Sequence, residues 1–512
     1  MTEVVGTLRG VAGLLAQAGL LREGERPETL PDLALTGVTQ DSREVAGGDL
    51  FLAWRGLRFD AHAHVGEAAA RGAVAAVVER RIEGLEIPQI VVHDGRSAAA
   101  LTAHALLGRP ADGLWVTAVT GTNGKTTVVW LLRQLLGHGE GRGAGSIGTL
   151  GAIGADGAVI PGSDRLTTPG PVEMARLLGT LAGQGVRRVA LEASSHALEQ
   201  RRLDGVGVDV ACFTNLTQDH LDYHPDLDAY RDAKALLLAR LRRGPGEERG
   251  GVVLNADPAW AALPRIEGRL LVVRRDDAPA EAPPAAERLG DLVARDVRLG
   301  PAGTEFTLVQ GERALPVRTR LLGDFNVENA LVALGAAVLS GIPLAAAAGR
   351  LAETDAPPGR LEAVVREPFP VLLDYAHTPD ALARVLETLR PLVAGRLIVV
   401  FGAGGDRDRA KRPRMGRAAA EGADLPIVTS DNPRTEDPAA IIEEIRAGMG
   451  GREHLALVDR REAIARALEL ARPGDLVLLA GKGHEPYQEI GTERRPFDER
   501  RIARELLEGA GR

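Results

Sequence analysis

Alternating apolar and polar segments divide the chain into three blocks of strands and helices. The first block, as far as residue 112, has short apolar runs such as GAVAAVVE and IPQIVV. The second, residues 113–355, opens with the apolar run from Trp115 to Thr120. Near its end come VARDVRL, TEFTLVQ and RALPVRTRL, whose alternation predicts antiparallel strands, and a predicted helix from Asn326 to Ser340 closes the block. The third, residues 356–512, has four buried-type strands, VLLDY, RLIVVFG, LPIVTS and DLVLLAG, separated by helical segments.

In the third block, each of these four apolar runs leads directly into a polar motif. The motifs are DYAHTPD, GAGGDRDRAKR, SDNPRTED and GKGHEPY, in that order. Ligands of open α/β sheets bind just beyond the carboxyl ends of the strands, so four polar motifs at four strand ends indicate a binding site. The helical segments between the runs predict an open parallel sheet of the Rossmann-like kind.

Composition and charge narrow the class of protein. The 512 residues are too many for one core, and 45% are hydrophobic and 26% charged, as in ordinary globular proteins. The net charge of −8 argues against a general nucleic-acid binder, which needs a broad basic face. The one cysteine, Cys212, excludes an intrachain disulfide, and no apolar run reaches membrane-spanning length. We therefore expect a cytoplasmic monomer with neither a nucleic-acid nor a membrane partner.

The loop GTNGKTT connects the first strand of the second block to an amphipathic helix. Its glycines let backbone N–H groups face a phosphate, and the helix N-terminus adds a favourable dipole. Lys125 can reach the terminal phosphates of a nucleotide, and Thr126 can hold Mg²⁺. The standard motif has a further glycine where this chain has Val119, so the alternative is a chance Gly-rich turn. The strand, the helix and GKTT together favour a nucleotide site.

Three further polar features follow in the second block. Glu192 ends a buried strand, where a carboxylate either binds metal or pairs with a nearby arginine, and the sequence leaves both possibilities open. The segment FTNLTQDHLDYH places His220 among acidic residues in a short loop, which suits a second metal or a phosphate. Tyr230 and Lys234 are four residues apart on one helical face, and Lys234 by itself has the pattern of a solvated surface lysine.

Taken in order, these motifs resemble the Mur ligase family over essentially the whole chain. TGTNGKTT, TTP, E-x-SSHAL, FTNLTQDHLDYH and Y-x-x-AK are followed by GDFNVEN, GRLE, DYAHTPDAL and GGDRD. The resemblance implies three α/β domains: a UDP-binding N-terminal domain (1–112), a central P-loop domain with a parallel and a small antiparallel sheet (113–355), and a Rossmann-like C-terminal domain (356–512). It also implies ATP and Mg²⁺ as cofactors. One departure is Pro225, where the family usually has glycine.

The resemblance also assigns roles to individual residues. Thr126, Glu192 and His220 match Mg²⁺ ligands, and Lys234 matches a lysine that is carbamylated to N6-carboxylysine, which reverses the surface interpretation. Lys125, Glu192, His220 and Lys234 form the implied catalytic set. The implied ATP-binding residues are Gly121, Thr122, Asn123, Gly124, Lys125, Thr126, Thr127, Asn326, Asn329, Arg360, Asp374, Tyr375 and His377. The implied residues for the UDP-linked substrate are Ser42, Thr167, Thr168, Ser194, Gln200 and Arg202.

The C-terminal motifs resemble the version of the family that adds meso-diaminopimelate to UDP-N-acetylmuramoyl-L-alanyl-D-glutamate in peptidoglycan precursor synthesis. The implied amino-acid-binding residues are Arg407, Asp431, Asn432, Pro433, Arg434, Gly481 and Glu485. Arg434 offers a two-pronged donor to the carboxylate that lysine lacks, and Glu485 can pair with an ammonium. On this interpretation, a ligand without that carboxylate leaves a guanidinium unpaired. The alternative for Asn432-Pro433 is a simple turn.

The implied reaction is an amide-bond ligation. ATP phosphorylates a carboxylate to an acyl phosphate, an amine attacks it, and phosphate leaves. Two other functions remain open: a sibling enzyme that adds lysine or ornithine, and a nucleotide-binding regulatory protein without catalysis. The combination of Lys125, Glu192, His220 and Lys234 argues against the second, because a protein that only binds has no need of a full metal set.

Overall fold

The computed structural model describes residues 6–56, 59–137, 143–217, 219, 223–242, 250–276 and 281–510. Contacts between Cα atoms divide the chain into two compact units. Unit 1 comprises Met1–Val293 and Leu331–Arg350, and unit 2 comprises Ala294–Ala330 and Leu351–Arg512. The limits of the three domains remain a prediction.

Helices and strands alternate along most of the chain, as the apolar pattern predicted. The helices are α1 (Leu8–Gln17), α2 (Val65–Ala70), α3 (Gly95–Leu106), α4 (Lys125–Gly137), α5 (Pro171–Gly183), α6 (Ser195–Glu199), α7 (Leu227–Ala235), α8 (Phe325–Leu339), α9 (Leu344–Leu351), α10 (Pro379–Leu389), α11 (Lys411–Gly422), α12 (Pro438–Arg446), α13 (Arg460–Leu470) and α14 (Glu499–Ala510). The strands are β1 (Gly37–Thr39), β2 (Asp49–Leu52), β3 (Ala75–Val78), β4 (Gln89–Val91), β5 (Trp115–Thr120), β6 (Gly145–Gly148), β7 (Gly151–Ile153), β8 (Arg188–Glu192), β9 (Val210–Phe213), β10 (Gly251–Asn255), β11 (Ile266–Arg275), β12 (Ala285–Gly300), β13 (Gly303–Gln310), β14 (Arg313–Thr319), β15 (Glu362–Val365), β16 (Val371–Asp374), β17 (Leu397–Phe401), β18 (Leu425–Val428), β19 (Leu455–Ala456), β20 (Leu476–Ala480), β21 (Tyr487–Ile490) and β22 (Glu493–Pro496). Among the residues that the structure describes, no helix is long and apolar enough to cross a membrane.

Unit 1 begins with a small parallel sheet in the order β1-β2-β3-β4. Helices α1 and α3 cover one face of this sheet, and α2 covers the other. Capping side chains fix where the helices start: the Thr7 hydroxyl accepts from the N–H of Gly10 ahead of α1, and the Asp94 carboxylate accepts from two N–H groups ahead of α3. The sheet is therefore packed between helices, as the α/β prediction requires.

Within unit 1, seven strands of the second sheet run in the order β11-β10-β9-β5-β8-β6-β7. These seven strands are parallel apart from β7, which pairs antiparallel with β6. In the register of the sheet, Val119 is opposite Glu192, and Thr120 is opposite Phe213. The carboxyl ends of β5, β8 and β9 therefore lie side by side, which brings together three motifs that are far apart in the sequence.

Unit 2 contains a six-stranded sheet in the order β15-β16-β20-β17-β18-β19. All neighbours are parallel except β15, which pairs antiparallel with β16 at the edge. Helices α10, α11 and α12 cover one face, and α13 and α14 cover the other, so the sheet is doubly wound. Unit 2 also contains two antiparallel hairpins, β13–β14 and β21–β22. The predicted parallel C-terminal sheet is confirmed, and so is the antiparallel pairing of TEFTLVQ with RALPVRT.

Candidate active site

The loop after β5 has the backbone of a phosphate-binding loop. Gly121 and Gly124 have φ angles of 139° and 86°, which side chains other than glycine rarely adopt. A Cβ at Gly121 would also collide with the side chain of Thr214, just after β9. The loop is tied to the segment after β9, because the Thr122 hydroxyl donates to the carbonyl of Thr217 at 3.1 Å. Two neighbouring strands thus hold the loop in place.

Lys125 is the first residue of α4, and its side chain lies over the loop that precedes it. Its Nζ donates to the carbonyl oxygens of Gly121 at 3.0 Å and Thr122 at 2.9 Å. The ammonium group is therefore at the helix N-terminus, where backbone N–H groups and the helix dipole already favour an anion. This is the placement that a lysine needs in order to reach the phosphates of a nucleotide.

Glu192 is buried at the end of β8, with 2% of its surface exposed. Its carboxylate accepts hydrogen bonds from the Thr126 hydroxyl at 3.1 Å and from the backbone N–H of Thr149 at 2.9 Å. A Cβ at Gly148 would collide with this carboxylate, so the close approach requires glycine there. Thr126 and Glu192, the two predicted Mg²⁺ ligands that the structure describes, are therefore neighbours. Thr149 was missed because it belongs to no recognisable motif and precedes Glu192 by 43 residues.

Lys234 is not the surface lysine that its helical pattern suggests on its own. It is 1% exposed, its Nζ donates to the carbonyl of Gly121 at 2.7 Å, and it lies 4.0 Å from the centre of the Tyr230 ring. Burial, together with the positive charge of Lys125, lowers the pKa of Lys234 to about 6. The amine is therefore largely neutral at physiological pH, and it lies directly against the phosphate-binding loop.

One predicted metal ligand is a histidine in the segment after β9. His220 lies outside the described residues, so its predicted role as a metal ligand remains a prediction. Nearby, His224 is buried, with Nε2 at 3.0 Å from the Ser195 hydroxyl and its ring 5.0 Å from that of Tyr230. Within the described ranges, no group of three or more His, Cys, Asp and Glu side chains is arranged to hold a metal ion.

Four of the residues predicted for the UDP-linked substrate form one hydrogen-bonded cluster beside Glu192. The Thr168 hydroxyl donates to the backbone carbonyl of Glu192 at 2.8 Å and accepts from the N–H of Ser194 at 3.1 Å. Arg202 donates to the carbonyl of Thr168 and to the side-chain oxygen of Gln200, both at 2.8 Å. These side chains lie next to the end of β8 and the phosphate-binding loop.

Thr167 and Ser42 are the other two residues of this predicted set. The Thr167 hydroxyl lies 3.2 Å from that of Thr149, which places it at the Glu192 carboxylate. Ser42 is 8% exposed and donates to the carboxylate of Glu67 at 3.0 Å. Its loop follows β1, and β1 is linked to α5 by a hydrogen bond from Arg176 to the carbonyl of Val38. Unit 1 thus carries the whole set predicted for the UDP-linked substrate.

The second part of the predicted ATP site lies in unit 2. Asn326 and Asn329 are buried near the start of α8, where Asn329 Nδ2 donates to Asn326 Oδ1 at 2.8 Å. At the end of β16, Asp374 accepts from the backbone N–H groups of Leu361 and Ala376, and burial raises its pKa. Around it, the guanidinium of Arg360 lies 5.2 Å from the centre of the Tyr375 ring, and His377 Nδ1 lies 2.8 Å from the Tyr375 carbonyl.

The predicted amino-acid-binding residues converge at the carboxyl ends of β17, β18 and β20. Asn432 Nδ2 donates to the Glu485 carboxylate at 2.9 Å, which joins the motif after β18 to the motif after β20. Gly481 has a φ angle of 114°, and a Cβ there would collide with Asp431. Pro433 is buried in the same turn, and Arg407 is exposed at the edge of the neighbouring loop. Asn432-Pro433 is therefore a turn that also brings polar side chains together.

The contacts of Arg434 show that one expectation from the sequence, an unpaired guanidinium in the absence of the second carboxylate, was wrong. Its Nε donates to Glu489 at 2.9 Å and its Nη1 donates to the carbonyl of Gly405 at 2.8 Å. The guanidinium is therefore paired within the chain, and a ligand that lacks the second carboxylate does not leave it wholly unpaired. The φ angle of Arg434 is 51°, and hydrogen bonds to residues 489 and 491 hold its backbone in this unusual conformation.

Two buried charges beneath this site were not predicted. Arg460 is inaccessible to solvent, pairs with Glu499 at 2.7 Å, and donates to the carbonyls of Ser430 and Ala480. Lys482 is also fully buried and donates to Asn432 Oδ1 at 2.9 Å. Arg460 belongs to a helix with no motif, so its contacts could not be read from the sequence. Lys482 stands inside GKGHE, and that position was the signal available for finding it.

Comparisons with known proteins agree with this architecture. The domain families described as Mur ligase family, catalytic domain, as Mur ligase middle domain, and as Mur ligase, glutamate ligase domain match residues 34–106, 119–337 and 359–483. The UDP-N-acetylmuramoyl-L-alanyl-D-glutamate–2,6-diaminopimelate ligase of Gloeobacter violaceus is 42% identical over 95% of this chain and 97% of its own length. The enzyme of the same name from Geobacillus kaustophilus is 40% identical over 94% and 96%.

Solved structures give the same result. A structure of a ligase of that same name superposes with a TM-score of 0.68 at 34% identity, covering 98% of this chain and 99% of the other. A MurF ligase from Thermotoga maritima, solved in complex with ADP, has a TM-score of 0.59 at 19% identity over 94% and 99%, and shares the fold. The family and these relatives define an ATP-dependent ligase that forms amide bonds. This chain belongs to the Mur ligase family, with its three-domain α/β architecture.

Proposed function

We propose that this ligase adds meso-diaminopimelate to UDP-N-acetylmuramoyl-L-alanyl-D-glutamate, a step of peptidoglycan precursor synthesis. The observation that carries the proposal is the convergence of Arg434, Asn432 and Glu485 at adjoining strand ends of unit 2. A guanidinium and a carboxylate in one pocket match the carboxylate and ammonium at the far end of diaminopimelate. The names of the relatives that are about 40% identical over most of their length support the same substrate.

ATP is the phosphoryl donor, and the phosphate-binding loop with Lys125 is its triphosphate site in this proposal. Asn326, Asn329, Arg360, Asp374, Tyr375 and His377 are proposed for the remainder of the nucleotide. The Thr126 hydroxyl and the buried Glu192 carboxylate fit Mg²⁺, which prefers oxygen ligands, and His220 is proposed for a second ion. Bound Mg²⁺ would neutralise negative charge on the phosphates.

The low reactivity of the substrate carboxylate explains why ATP is needed. A carboxylate is a poor acylating agent, and phosphorylation gives it a good leaving group, so that an amine can form the amide and release phosphate. Lys125 is placed to stabilise the negative charge of the phosphoryl group during its transfer. Thr167, Thr168, Ser194, Gln200 and Arg202 would hold the UDP-linked substrate with its carboxylate toward Glu192, and Ser42 would contact the uridine end.

Lys234 completes the proposed site as a carbamate. Carbon dioxide adds to a neutral amine, and the lowered pKa of Lys234 keeps that amine neutral near pH 7. A bond forms between Nζ and the carbon of CO₂ and one proton is released, so the product is an anion next to the Lys125 ammonium, which shares the Gly121 carbonyl with Lys234. We further propose a cytoplasmic monomer whose domains are residues 1–112, 113–355 and 356–512.

A substrate-omission experiment tests the function. ADP release should require the UDP-linked dipeptide, ATP, Mg²⁺ and the amino acid together, and should stop when any one of them is left out. Release of ADP with lysine or ornithine at the same rate would favour a sibling enzyme. Binding of ATP without turnover under all conditions would favour a regulatory protein and refute catalysis.

A further inference from the structure

Lysine is rare in this chain, and its four positions are informative. Of the 62 lysine and arginine residues, only Lys125, Lys234, Lys411 and Lys482 are lysines. A surface cation in this protein is therefore almost always arginine, so each lysine calls for a local reason. Lysine offers a compact charge with three donors on a flexible stem, which fits spaces too small for the planar fork of arginine. Lys125 and Lys234 lie at the phosphate-binding loop, whereas Lys482 lies in unit 2 and has no role in the proposed reaction.

Lys482 lies beneath the predicted amino-acid-binding residues. Its Nζ is fully buried, donates to Asn432 Oδ1 at 2.9 Å, and lies 3.6 Å from the Glu485 carboxylate and 3.9 Å from that of Asp431. Because Asn432 accepts from Lys482 through Oδ1, its Nδ2 is left to donate to Glu485, as observed. Lys482 thus fixes the orientation of the Asn432 amide and offsets one of two neighbouring negative charges.

Glu489 also contacts Asn432, and it holds Arg434 in place. Its carboxylate accepts from Arg434 Nε at 2.9 Å and from Arg494 Nε at 3.0 Å, and its backbone N–H donates to Asn432 Oδ1 at 2.9 Å. Burial opposes ionisation of Glu489, but the two arginines outweigh it and lower the pKa of the carboxyl. The β21–β22 hairpin therefore holds Arg434 and offsets its charge before any ligand arrives.

These contacts form one connected group with equal numbers of carboxylates and cations, and the Arg460–Glu499 pair next to Lys482 adds one charge of each sign. Three carboxylates, Asp431, Glu485 and Glu489, contact three cations, Lys482, Arg434 and Arg494. The distal end of diaminopimelate carries an ammonium and a carboxylate and is neutral overall, whereas the end of lysine carries a net positive charge. A balanced group accepts the neutral end without leaving an excess charge, and it gives no net attraction to an added cation.

From this balance we infer that Lys482 and Glu489 are positioning residues that set the choice between diaminopimelate and lysine through the net charge around Asn432. The inference rests on the proposed function. Loss of the positive charge of Lys482 leaves the group net negative and favours the cationic end of lysine. Loss of the negative charge of Glu489 leaves it net positive and disfavours lysine further. The two changes therefore shift the ratio of diaminopimelate product to lysine product in opposite directions.

The test is a competition assay on Lys482→Met and Glu489→Gln in the full-length enzyme. Each variant receives ATP, the UDP-linked dipeptide and equal concentrations of diaminopimelate and lysine, and the two products are separated by mass. Lys482→Met should shift the product ratio toward lysine by about tenfold or more, the scale expected for one unit charge acting over several ångströms in a protein. Glu489→Gln should shift it toward diaminopimelate, and the KM for ATP should stay unchanged in both.

Two exposed residues of β22 provide matched controls. Arg495→Met and Glu493→Gln make the same changes of charge outside the connected group, at side chains that are 59% and 71% exposed. They should leave the ratio unchanged. Glu489 is partly exposed, so Glu489→Gln tests the inference even if Lys482→Met fails to fold. Suppose that the wild-type enzyme prefers diaminopimelate. Unchanged product ratios in both variants, or shifts in the same direction, would then overturn this inference but not the proposed function. A wild-type enzyme without that preference would refute the proposed substrate instead.

Discussion

Lys125 and Lys234 donate hydrogen bonds to the same carbonyl oxygen, that of Gly121, at 3.0 and 2.7 Å. The Lys125 ammonium would repel a protonated Lys234 at this shared acceptor, and this repulsion adds to the burial that lowers the pKa of Lys234. Conversion of Lys234 to a carbamate would replace the repulsion with attraction. In the proposed enzyme, the buried position of Lys234 places this carbamate beside Lys125 at the phosphate-binding loop.

Carbamylation of Lys234 should follow pH in a defined way. The pKa of about 6 lies below the ordinary value, so the amine is neutral above about pH 6 and protonated below it. With ¹³C-labelled bicarbonate, the carbamate signal in NMR should be present at pH 7.5 and disappear as the pH falls through about 6. An ordinary exposed lysine would need a pH near about 10 to be neutral.

The control for this experiment is Lys234→Met, which should remove the signal at every pH. Lys482 is also buried, and burial lowers its pKa as well, so the variant shows which lysine carries the label. A signal that survives in Lys234→Met, or a wild-type enzyme that is fully active but unlabelled, would rule out the carbamate.

Lys125→Ala should abolish ligation and leave the fold intact. Removal of a preorganised charged donor at the phosphates is expected to lower kcat by about 10²–10³-fold or more. Thermal unfolding should change little, because the hydrogen bonds to Gly121 and Thr122 join Lys125 to carbonyls only four and three residues away in the chain. Arg501→Ala, which removes an exposed cation from α14, serves as the control. Near-normal ligation by folded Lys125→Ala would remove the basis for the ATP site.

Gly148→Ala tests the arrangement around Glu192. A Cβ at residue 148 would meet the Glu192 carboxylate, whereas a Cβ at Gly183 meets nothing within 4 Å. Gly148→Ala should therefore raise the Mg²⁺ concentration required for half-maximal activity, and overpacking should lower the free energy of unfolding by about 1–3 kcal/mol. If titration with Mg²⁺ gives the same curve for Gly148→Ala and Gly183→Ala, Glu192 is not a metal ligand.

Arg434→Ala should raise the KM for diaminopimelate and leave the KM for ATP unchanged. Loss of one partner of a buried charge pair costs about 2–5 kcal/mol. Because Arg434 also pairs with Glu489 within the protein, we expect a cost at the lower end of this range. That cost corresponds to an increase of about 30-fold in the KM for diaminopimelate. Steady-state kinetics with each substrate varied in turn measures both constants. Equal increases in both would indicate a general structural defect in unit 2.

Much of the fold and part of the site could be predicted from the sequence. The apolar runs of the third block are the parallel strands β16, β17, β18 and β20, because strands buried on both faces leave continuous apolar sequence. Motifs at strand ends predicted which polar residues converge, as Asn432 and Glu485 do. Such residues are visible because the topology of parallel sheets brings carboxyl ends to one edge.

The remaining features depend on contacts between distant segments. Whether Lys234 is exposed depends on what covers α7, and helical spacing alone predicts the surface. The Thr149 backbone donor, the Arg460–Glu499 pair and the Glu489–Arg434 pair join positions 43, 39 and 55 residues apart. Local patterns do not encode such pairs, and Thr149, Arg460, Glu489 and Glu499 belong to no motif that the sequence analysis identified.

The most direct test of the proposed function is the identity of the product. Wild-type enzyme would be incubated with ATP, Mg²⁺, UDP-N-acetylmuramoyl-L-alanyl-D-glutamate and an equimolar mixture of meso-diaminopimelate, lysine and ornithine, and the UDP-linked products identified by mass spectrometry. The proposal predicts a single major product, with the mass of the diaminopimelate adduct and one ADP released per molecule formed. A major lysine or ornithine adduct would contradict the proposed specificity, and the absence of any ATP-dependent adduct would contradict the proposed ligation itself.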